Sequence, residues 1–227
     1  MLKFAAAALA LSLALAACTP MEPVVVVENA NLRVAHLSPD TPAVDIWLDG
    51  KVVDSLKGVS FKAVSPYLKI PVGKHDIAVY VAGTTTNPAI EVKGIDLQKK
   101  NYTVGAIGLL KGAGAQALKA NVYNDDLTSK TGKAKVRVIH ASPDAPNVDV
   151  AVQGGAVIVT NLKYPDATAT YLELDAGTYP LEIRAAGTIP AVLKFSTPAL
   201  EAGKVYTVFA VDVVAKLGVV AVADAVK

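Results

Sequence analysis

The feature that most constrains the fold is an internal duplication. Segment 36–45 has the sequence HLSPDTPAVD, and segment 140–149 has the sequence HASPDAPNVD, at an offset of 104 residues. The same offset recurs along both copies, at the pairs Arg33/Arg137, Tyr67/Tyr171, Gly73/Gly177 and Gly83/Gly187. Two copies of one sequence unit in a chain are expected to fold into the same architecture. We therefore predict two tandem domains of one fold.

The N-terminal segment predicts export. Lys3 precedes an apolar run over residues 4–14 that is interrupted only by Ser12 and is too short to span a bilayer. The run ends at Cys18, the only cysteine, in the sequence LAAC, which resembles the lipobox of bacterial lipoproteins. That resemblance implies cleavage after residue 17 and attachment of lipid to the cysteine sulfur. The alternative is an ordinary secretory signal followed by an unpaired cysteine.

The charge of the mature chain limits its partners, and its composition indicates the domain boundaries. Removing Lys3 with the signal changes 22 basic against 20 acidic residues to 21 against 20, and this near-neutral balance argues against nucleic acid as a partner. The polar sequence around Asp125 and Asp126 indicates an exposed linker. We predict a signal peptide at 1–17, a lipidated cysteine and tether at 18–31, a first repeat at 32–125, a linker at 126–134 and a second repeat at 135–227.

The mature sequence favours an all-β fold. Short valine-rich runs alternate in polarity and are broken about every 8 to 12 residues by Gly, Pro, Asn or Asp, which is typical of β-sandwiches. No window keeps a helical period. In the first copy this pattern predicts strands at 33–37, 44–48, 67–70, 76–81, 102–107 and 118–123. Two tandem β-sandwich domains therefore follow the signal peptide.

The same residues resemble a known family. The pattern Arg-Val-x-His-x-Ser-Pro-Asp-x-Pro-x-Val-Asp, followed by a Tyr-Leu-x-Ile/Leu-x-x-Gly turn and a Tyr-Thr-Val strand, is similar to the bacterial domain of unknown function 4397. The resemblance covers both copies, with departures at Asn147 and Asp175. It implies immunoglobulin-like or transthyretin-like sandwiches in exported, often surface-attached proteins. A fold of this kind hosts many unrelated functions, so the resemblance implies architecture more than chemistry.

The duplicated string has a conformational explanation and a functional alternative. Its prolines fix φ, and its short polar side chains can accept backbone N–H groups in a turn between strands. The alternative is a ligand or metal role for the same side chains beside the repeated histidines. The residues concerned are Ser38, Asp40 and Asp45 in the first copy, and Ser142, Asp144 and Asp149 in the second.

Three histidines are the candidate metal ligands. Neutral imidazole binds copper and zinc, and His36 and His140 are repeat equivalents, whereas His75 aligns with Tyr179. A copper site would require His75 to approach a repeated histidine, or the two repeated histidines to meet. A sandwich with copper resembles superoxide dismutases, but those enzymes use a His-x-His pair and four histidines, and this chain has neither. The bland alternative is that each histidine is a hydrogen-bonded structural residue.

Other catalytic patterns are absent from the sequence. There is no Gly-x-Ser-x-Gly elbow, no His-Glu-x-x-His pair and no phosphate-binding glycine loop ahead of a helix. Trp47, Tyr67 and Tyr80 could form a platform for carbohydrate, but sparse aromatics favour a core or cross-strand role. We interpret Asp125 and Asp126 as solvated linker charges rather than a catalytic acid and base.

Two functional hypotheses follow. The first is a non-catalytic lipoprotein of the bacterial cell envelope, anchored to membrane lipid through Cys18 and acting as a structural, adhesive or assembly module. Its partner would be an envelope or surface-layer protein, and its location the outer membrane or cell surface. The second is a copper-binding envelope protein with superoxide-dismutase-like antioxidant activity, using His36, His75 and His140 as ligands.

Overall fold

The computed structural model describes residues 27–225, which are all-β. The predicted signal peptide, Cys18 and most of the tether lie outside this range. The first repeat contains β1 (Asn29–His36), β2 (Val44–Leu48), β3 (Lys51–Val52), β4 (Leu68–Pro71), β5 (Gly73–Val81), β6 (Ile90–Leu97), β7 (Asn101–Ile107) and β8 (Lys119–Asp125). The second contains β9 (Ala134–His140), β10 (Val148–Val152), β11 (Val157–Leu162), β12 (Leu172–Leu174), β13 (Pro180–Ala185), β14 (Ala191–Ser196), β15 (Val205–Val211) and β16 (Gly218–Asp224).

The strands form two four-stranded sheets in each repeat. In the first repeat the orders are β4-β1-β7-β8 and β3-β2-β5-β6, and in the second they are β12-β9-β15-β16 and β11-β10-β13-β14. The prediction of an all-β, sandwich-like fold is confirmed. Strand β1 pairs with β7 in parallel, and β9 pairs with β15 in the same way, while the other strand pairs are antiparallel. Polarity alternation does not specify strand direction, so this parallel pairing was not predicted.

Alternation along the strands places the core between the sheets. On β2, Val44 and Ile46 are almost fully buried, and Leu32 and Val34 of β1 face them within one hydrophobic cluster. Burying each such side chain stabilises the fold by roughly 1.5–3 kcal/mol. The second repeat has an equivalent core around Val148, Val150 and Ile183.

Two strands of the first repeat, β3 and β6, were not predicted. Strand β3 has only two residues, and β6 breaks the period of two. Gly94 in β6 has a φ of 63°, and the pairing register shifts between His75 and Ile77 on the neighbouring strand β5. A bulge of this kind moves the apolar side chains from even to odd positions, from Ile90 and Val92 to Ile95 and Leu97.

The two repeats pack against each other through the outer faces of their β1 and β9 sheets. One buried cluster joins Ala35, Leu37, Ile107 and Tyr123 of the first repeat to Ile139, Ala141, Phe209 and Val211 of the second. Lys62 Nζ lies 3.4 Å from Asp212 Oδ2, and Lys119 Nζ lies 5.5 Å from the centre of the Tyr164 ring. These contacts place the ends of β1 and β9 that carry the duplicated string on the same side of the molecule. We call this side the motif end.

The opposite side is called the linker end. Strand β1 begins there at Asn29, and β8 ends there at Asp125, before segment 126–133 leads into β9. Within residues 27–225 no helix has the length and apolar character needed to cross a membrane.

Candidate functional site

The two repeated histidines are structural parts of the turns that follow them. His36 is fully buried, and its Nδ1 accepts the Ser38 N–H at 3.4 Å, which leaves Nε2–H to donate to Pro42 O at 3.0 Å. His140 makes the same two bonds to Ser142 and Pro146, at 3.3 and 3.0 Å. Each ring is therefore a neutral imidazole whose two nitrogens are both occupied by backbone.

Burial fixes the protonation state of these rings. It lowers the pKa of both His36 and His140, and the hydrogen bonds to the proline carbonyls only partly oppose this effect. Aromatic rings cover them edge-on, Phe61 at 6.3 Å from His36 and Tyr164 at 6.1 Å from His140. These features describe hydrogen-bonded core histidines.

The last aspartate of the string joins β2 or β10 to two neighbouring segments of its repeat. Asp45 Oδ1 accepts the Gly58 N–H at 2.7 Å, and its Oδ2 accepts the Gly83 N–H at 3.0 Å. Asp149 does the same for Asn161 and Gly187, at 2.7 and 2.9 Å. The bonds from Gly83 and Gly58 lower the pKa of Asp45, so the carboxylate is ionised at neutral pH.

The first aspartate of the string fixes the loop that follows the parallel strand. Asp40 accepts the backbone N–H groups of Leu110 and Lys111 at 2.7 and 3.2 Å. In the second repeat Asp144 accepts the N–H of Val214 at 2.7 Å, and residue 214 is the equivalent of Leu110.

The serines of the string differ between the copies. Ser38 Oγ lies 2.7 Å from Thr41 Oγ1, whereas the equivalent Ser142 Oγ is buried with no hydrogen-bond partner. The difference arises because Ala145 replaces the threonine. Ser38 Oγ also lies 3.4 Å from Asp40 Oδ1, and that same carboxylate oxygen accepts the Leu110 N–H at 2.7 Å.

His75 lies on β5 near the linker end, away from the motif end. Its Nδ1 contacts Asp49 Oδ2 at 2.8 Å, and its Nε2 contacts Pro71 O at 2.8 Å. Both partners are acceptors, so both ring nitrogens donate when the ring is an imidazolium. Burial lowers the pKa of His75, but the bonds to Asp49 and Pro71 outweigh it and raise that pKa above its ordinary value.

The three histidines are not assembled into a metal site. Within residues 27–225 no group of three or more His, Cys, Asp or Glu side chains is placed to hold a metal ion. The copper hypothesis for His36, His75 and His140 therefore gains no support from their positions.

The aromatic residues also separate. Trp47 and Tyr80 lie 5.2 Å apart with a tilt of 53° on neighbouring strands, as in a cross-strand pair. Tyr67 lies elsewhere, under the Arg33 guanidinium at 4.8 Å. In the second repeat the positions of Trp47 and Tyr80 hold Ala151 and Arg184, and Arg184 pairs with Glu182.

A buried ionic network, which the sequence did not predict, lies between the repeats. Arg33 Nη1 lies 2.6 Å from Asp224 Oδ1, and Arg137 Nη2 lies 2.7 Å from Asp125 Oδ1. All four side chains are at most 2 % exposed. Each pair joins an arginine of one repeat to an aspartate of the other, so the buried charges balance.

Threonines and tyrosines complete the network. Thr103 Oγ1 donates to Asp125 at 2.6 Å, and Thr207 Oγ1 donates to Asp224 at 2.6 Å. Both arginines donate to Thr207 Oγ1, each at 3.1 Å. Tyr67 donates its hydroxyl to Asp125 at 2.6 Å. In the second repeat, Tyr171 lies beneath the Arg137 guanidinium at 5.4 Å.

The interpretation of Asp125 as a solvated linker charge is wrong, whereas Asp126 is an exposed residue of the linker. The Asp125 side chain is buried in the interface, and Arg137 compensates its charge. Asp126 is paired with Lys135 Nζ at 2.5 Å and also accepts from Thr128. Hydrogen bonds from Lys135 and Thr128 lower the pKa of Asp126 to about 2.

Part of this network was visible in the sequence. Arg33/Arg137 and Tyr67/Tyr171 repeat at the offset of 104, which pairs a strand arginine with a tyrosine that directly precedes a strand in each copy. Asp125 and Asp224 do not share that offset, because the loop at 212–217 is shorter than its counterpart at 108–118. A search for residue pairs at the offset of 104 therefore finds the two arginines but not the two aspartates that pair with them.

An open groove of about 600 Å³ runs between β8 of the first repeat and the segment before β12. Polar side chains line it, including Asn124, Asp126, Lys135, Thr170 and Glu173. Lys135 is already bound by Asp126 and by Thr128 O, at 2.5 and 3.0 Å. The Lys135 ammonium is therefore already paired within the groove.

Comparison with known proteins identifies the family. The family model described as "Domain of unknown function (DUF4397)" matches residues 30–151 and again 134–227. No curated protein sequence matches the chain.

Two solved structures show a distant likeness. The Bacillus anthracis TIE protein is 16% identical, with 82% of this chain and 34% of that chain covered and a TM-score of 0.24. This chain thus spans about a third of its length. A "putative cell adhesion protein" from Bacteroides uniformis is 13% identical, with 87% of this chain and 98% of that chain covered and a TM-score of 0.21. The family match, in contrast, covers most of the sequence. The chain belongs to the DUF4397 family and contains two tandem copies of its domain.

Proposed function

We propose that this protein is a lipoprotein of the bacterial cell envelope that acts as a non-catalytic structural, adhesive or assembly module. Lipid on Cys18 would hold it at the outer face of a membrane, with the outer membrane or cell surface favoured. Its two repeats would be immunoglobulin-like or transthyretin-like sandwiches. Two or more acyl chains on one residue give far firmer anchoring than a single myristoyl chain.

The observation that carries the proposal is the use of the motif's polar side chains. The repeated histidines and aspartates, His36, Asp40 and Asp45 and their equivalents, all bind backbone atoms of their own repeat. A catalytic site needs a side chain that is free to reach a substrate and a second group placed to activate it. The polar side chains of the motif are instead bound to the backbone of their own repeat, which fixes the conformation of its loops.

The placement of the ends supports the same role. The described chain enters at Val27, beside the linker end, and the loops of both repeats project from the motif end. An anchor at Cys18 would leave the motif end facing away from the membrane. Leu110 and Val214, held by Asp40 and Asp144, are 40% and 37% exposed there, and a partner envelope or surface-layer protein would contact these loops.

Replacing Cys18 with serine tests the proposal. A bacterial strain that lacks the protein would be complemented with the wild type or with C18S, and membrane fractionation and surface adhesion would be measured. We expect C18S to leave the membrane fraction, or to remain unprocessed, and to lose complementation. Unchanged membrane attachment would contradict the anchor, and copper-dependent removal of superoxide by the purified wild type would contradict the non-catalytic role.

A further inference from the structure

The contact between the two repeats has the geometry of a two-fold symmetric dimer interface. Arg33 on β1 of the first repeat reaches Asp224 at the end of β16, and Arg137 on β9 of the second reaches Asp125 at the end of β8. The contact from β1 to β16 is thus repeated, with the two repeats interchanged, by the contact from β9 to β8. Such reciprocity defines an isologous contact, in which the same patch is used on both sides.

The surrounding apolar contacts obey the same relation. Leu37 and Ala141 are repeat equivalents, as are Ile107 and Val211, and all four lie in the shared cluster. The face of one repeat therefore fits the face of the other whether or not the same chain carries both. The covalent connection between them is segment 126–133 at the linker end.

We propose that two chains exchange repeats through this face, so that the first repeat of one chain pairs with the second repeat of another. The partner is a second copy of this chain, and each exchanged dimer contains two complete interfaces. This inference does not depend on membrane attachment. Domain exchange of this kind is a low-cost route to a dimer because it reuses contacts that already exist.

Opening the linker breaks a set of polar contacts. Asp126 binds Lys135 and Thr128, and its N–H donates to Tyr171 Oη at 3.2 Å. Lys135 Nζ also donates to Thr128 O at 3.0 Å, and Lys130 Nζ lies 3.3 Å from Glu173 Oε2. Closure within one chain also has an effective concentration of about the millimolar range for a short flexible connection. Single chains therefore dominate in dilute solution, and exchange becomes favourable where chains are crowded or the internal pairing is weakened.

Reversing one ion pair across two chains tests the proposal. The chain from residue 19 onward would be made with R33D in one preparation and D224R in another. Each variant alone would oppose like charges inside its own interface. In a mixture, exchange restores the native Arg33–Asp224 pair at one interface and creates the reversed Asp–Arg pair at the other. Size-exclusion chromatography with light scattering should show a 1:1 species of twice the monomer mass in the mixture alone.

The double variant R33D/D224R in one chain is the control. It should be folded and monomeric, because the reversed pair closes internally. A mixture that stays monomeric while this control folds would overturn the proposal, and so would equal dimerisation of either variant alone.

If the double variant does not fold, wild-type chains provide a second measurement. Unlabelled and ¹⁵N-labelled chains would be unfolded together, refolded at about millimolar concentration and examined by native mass spectrometry. Mixed-label dimers are expected, and monomers alone would overturn the proposal.

Discussion

His75 and Tyr179 occupy equivalent positions and each donates a hydrogen bond to the backbone carbonyl four residues earlier. His75 Nε2 reaches Pro71 O at 2.8 Å, and Tyr179 Oη reaches Asp175 O at 3.0 Å. The two side chains close the same turn with different chemistry. Only the histidine can lose its second proton near neutral pH.

The first repeat should therefore lose stability as the pH rises. The folded-state pKa of His75 is raised, so its stabilising effect is complete below its unfolded-state pKa of about 6.5 and is lost as the pH rises through the folded-state value. Urea unfolding at a series of pH values from about pH 5 to about pH 9 would measure this loss in the free energy of unfolding. The variant H75Y, which copies the second repeat, should lose this part of the pH dependence; an unchanged profile would contradict the assignment.

His36 and His140 should not create a copper site. Their rings are fully buried, and backbone atoms occupy both nitrogens, so a metal could bind only after the turn opened. We expect copper bound after gel filtration to be the same for the wild type and for H36Q/H140Q, provided that circular dichroism shows the variant folded. Stoichiometric copper that disappears in this variant would contradict the structural role.

At the residue scale, the sequence contained the conformational explanation of the duplicated string, because prolines and short polar residues have known turn chemistry. The sequence did not predict that Asp125 is buried between the repeats. A carboxylate beside a polar linker resembles a solvated charge, and only the fold brings Arg137 within 2.7 Å of it. Partners that lie on another repeat leave no local pattern.

At the scale of secondary structure, each long strand pair is fastened to its loops by an aspartate. Asp149 on β10 is 5% exposed and holds Asn161 near the end of β11 and the loop at Gly187. Gly187 has a φ of 75°, a conformation that favours glycine and that the carboxylate helps to keep. The strands and loops of a repeat therefore behave as one unit.

Removing this carboxylate should weaken the second repeat. D149A leaves two backbone N–H groups without their charged acceptor, and we expect a loss of about 1–3 kcal/mol in the free energy of unfolding, measured by urea denaturation. D54A is the matched control, since the Asp54 side chain is 88% exposed and pairs only with Lys57. Its effect should stay within about 0.5 kcal/mol. Equal losses in both variants would contradict the role of Asp149.

The strands themselves were largely predictable where the period of two is unbroken, as in β2. Strand β6 was not, because the bulge at Gly94 shifts its apolar positions. The parallel direction of β7 beside β1 also depends on contacts distant in sequence. Alternation identifies which residues are buried but not which neighbour covers them.

At the scale of the molecule, the ionic network joins two sandwiches into one body. Because its four charges are buried, removing one leaves another uncompensated, at a cost of about 3–5 kcal/mol. The wild type should therefore unfold in one cooperative transition, with calorimetric and van't Hoff enthalpies that agree.

Replacing Arg137 with methionine should separate the repeats thermodynamically. Differential scanning calorimetry is expected to show two transitions for R137M, because Asp125 would remain buried without its guanidinium. K62M removes the partly exposed Lys62–Asp212 contact, in which Lys62 is 42% exposed, and should keep the single transition. A single, unshifted transition in R137M would show that the network does not couple the repeats.

The parallel pairing of β1 with β7 has a mechanical consequence. A pull on the chain ahead of Asn29, resisted at the motif end, would run lengthwise along β1. The hydrogen bonds that join β1 to β7 from Asn31 to His36 would then be loaded together in shear, rather than peeled apart one at a time. Strand β1 is thus placed where a domain pulled from its N-terminal side would need its strongest attachment.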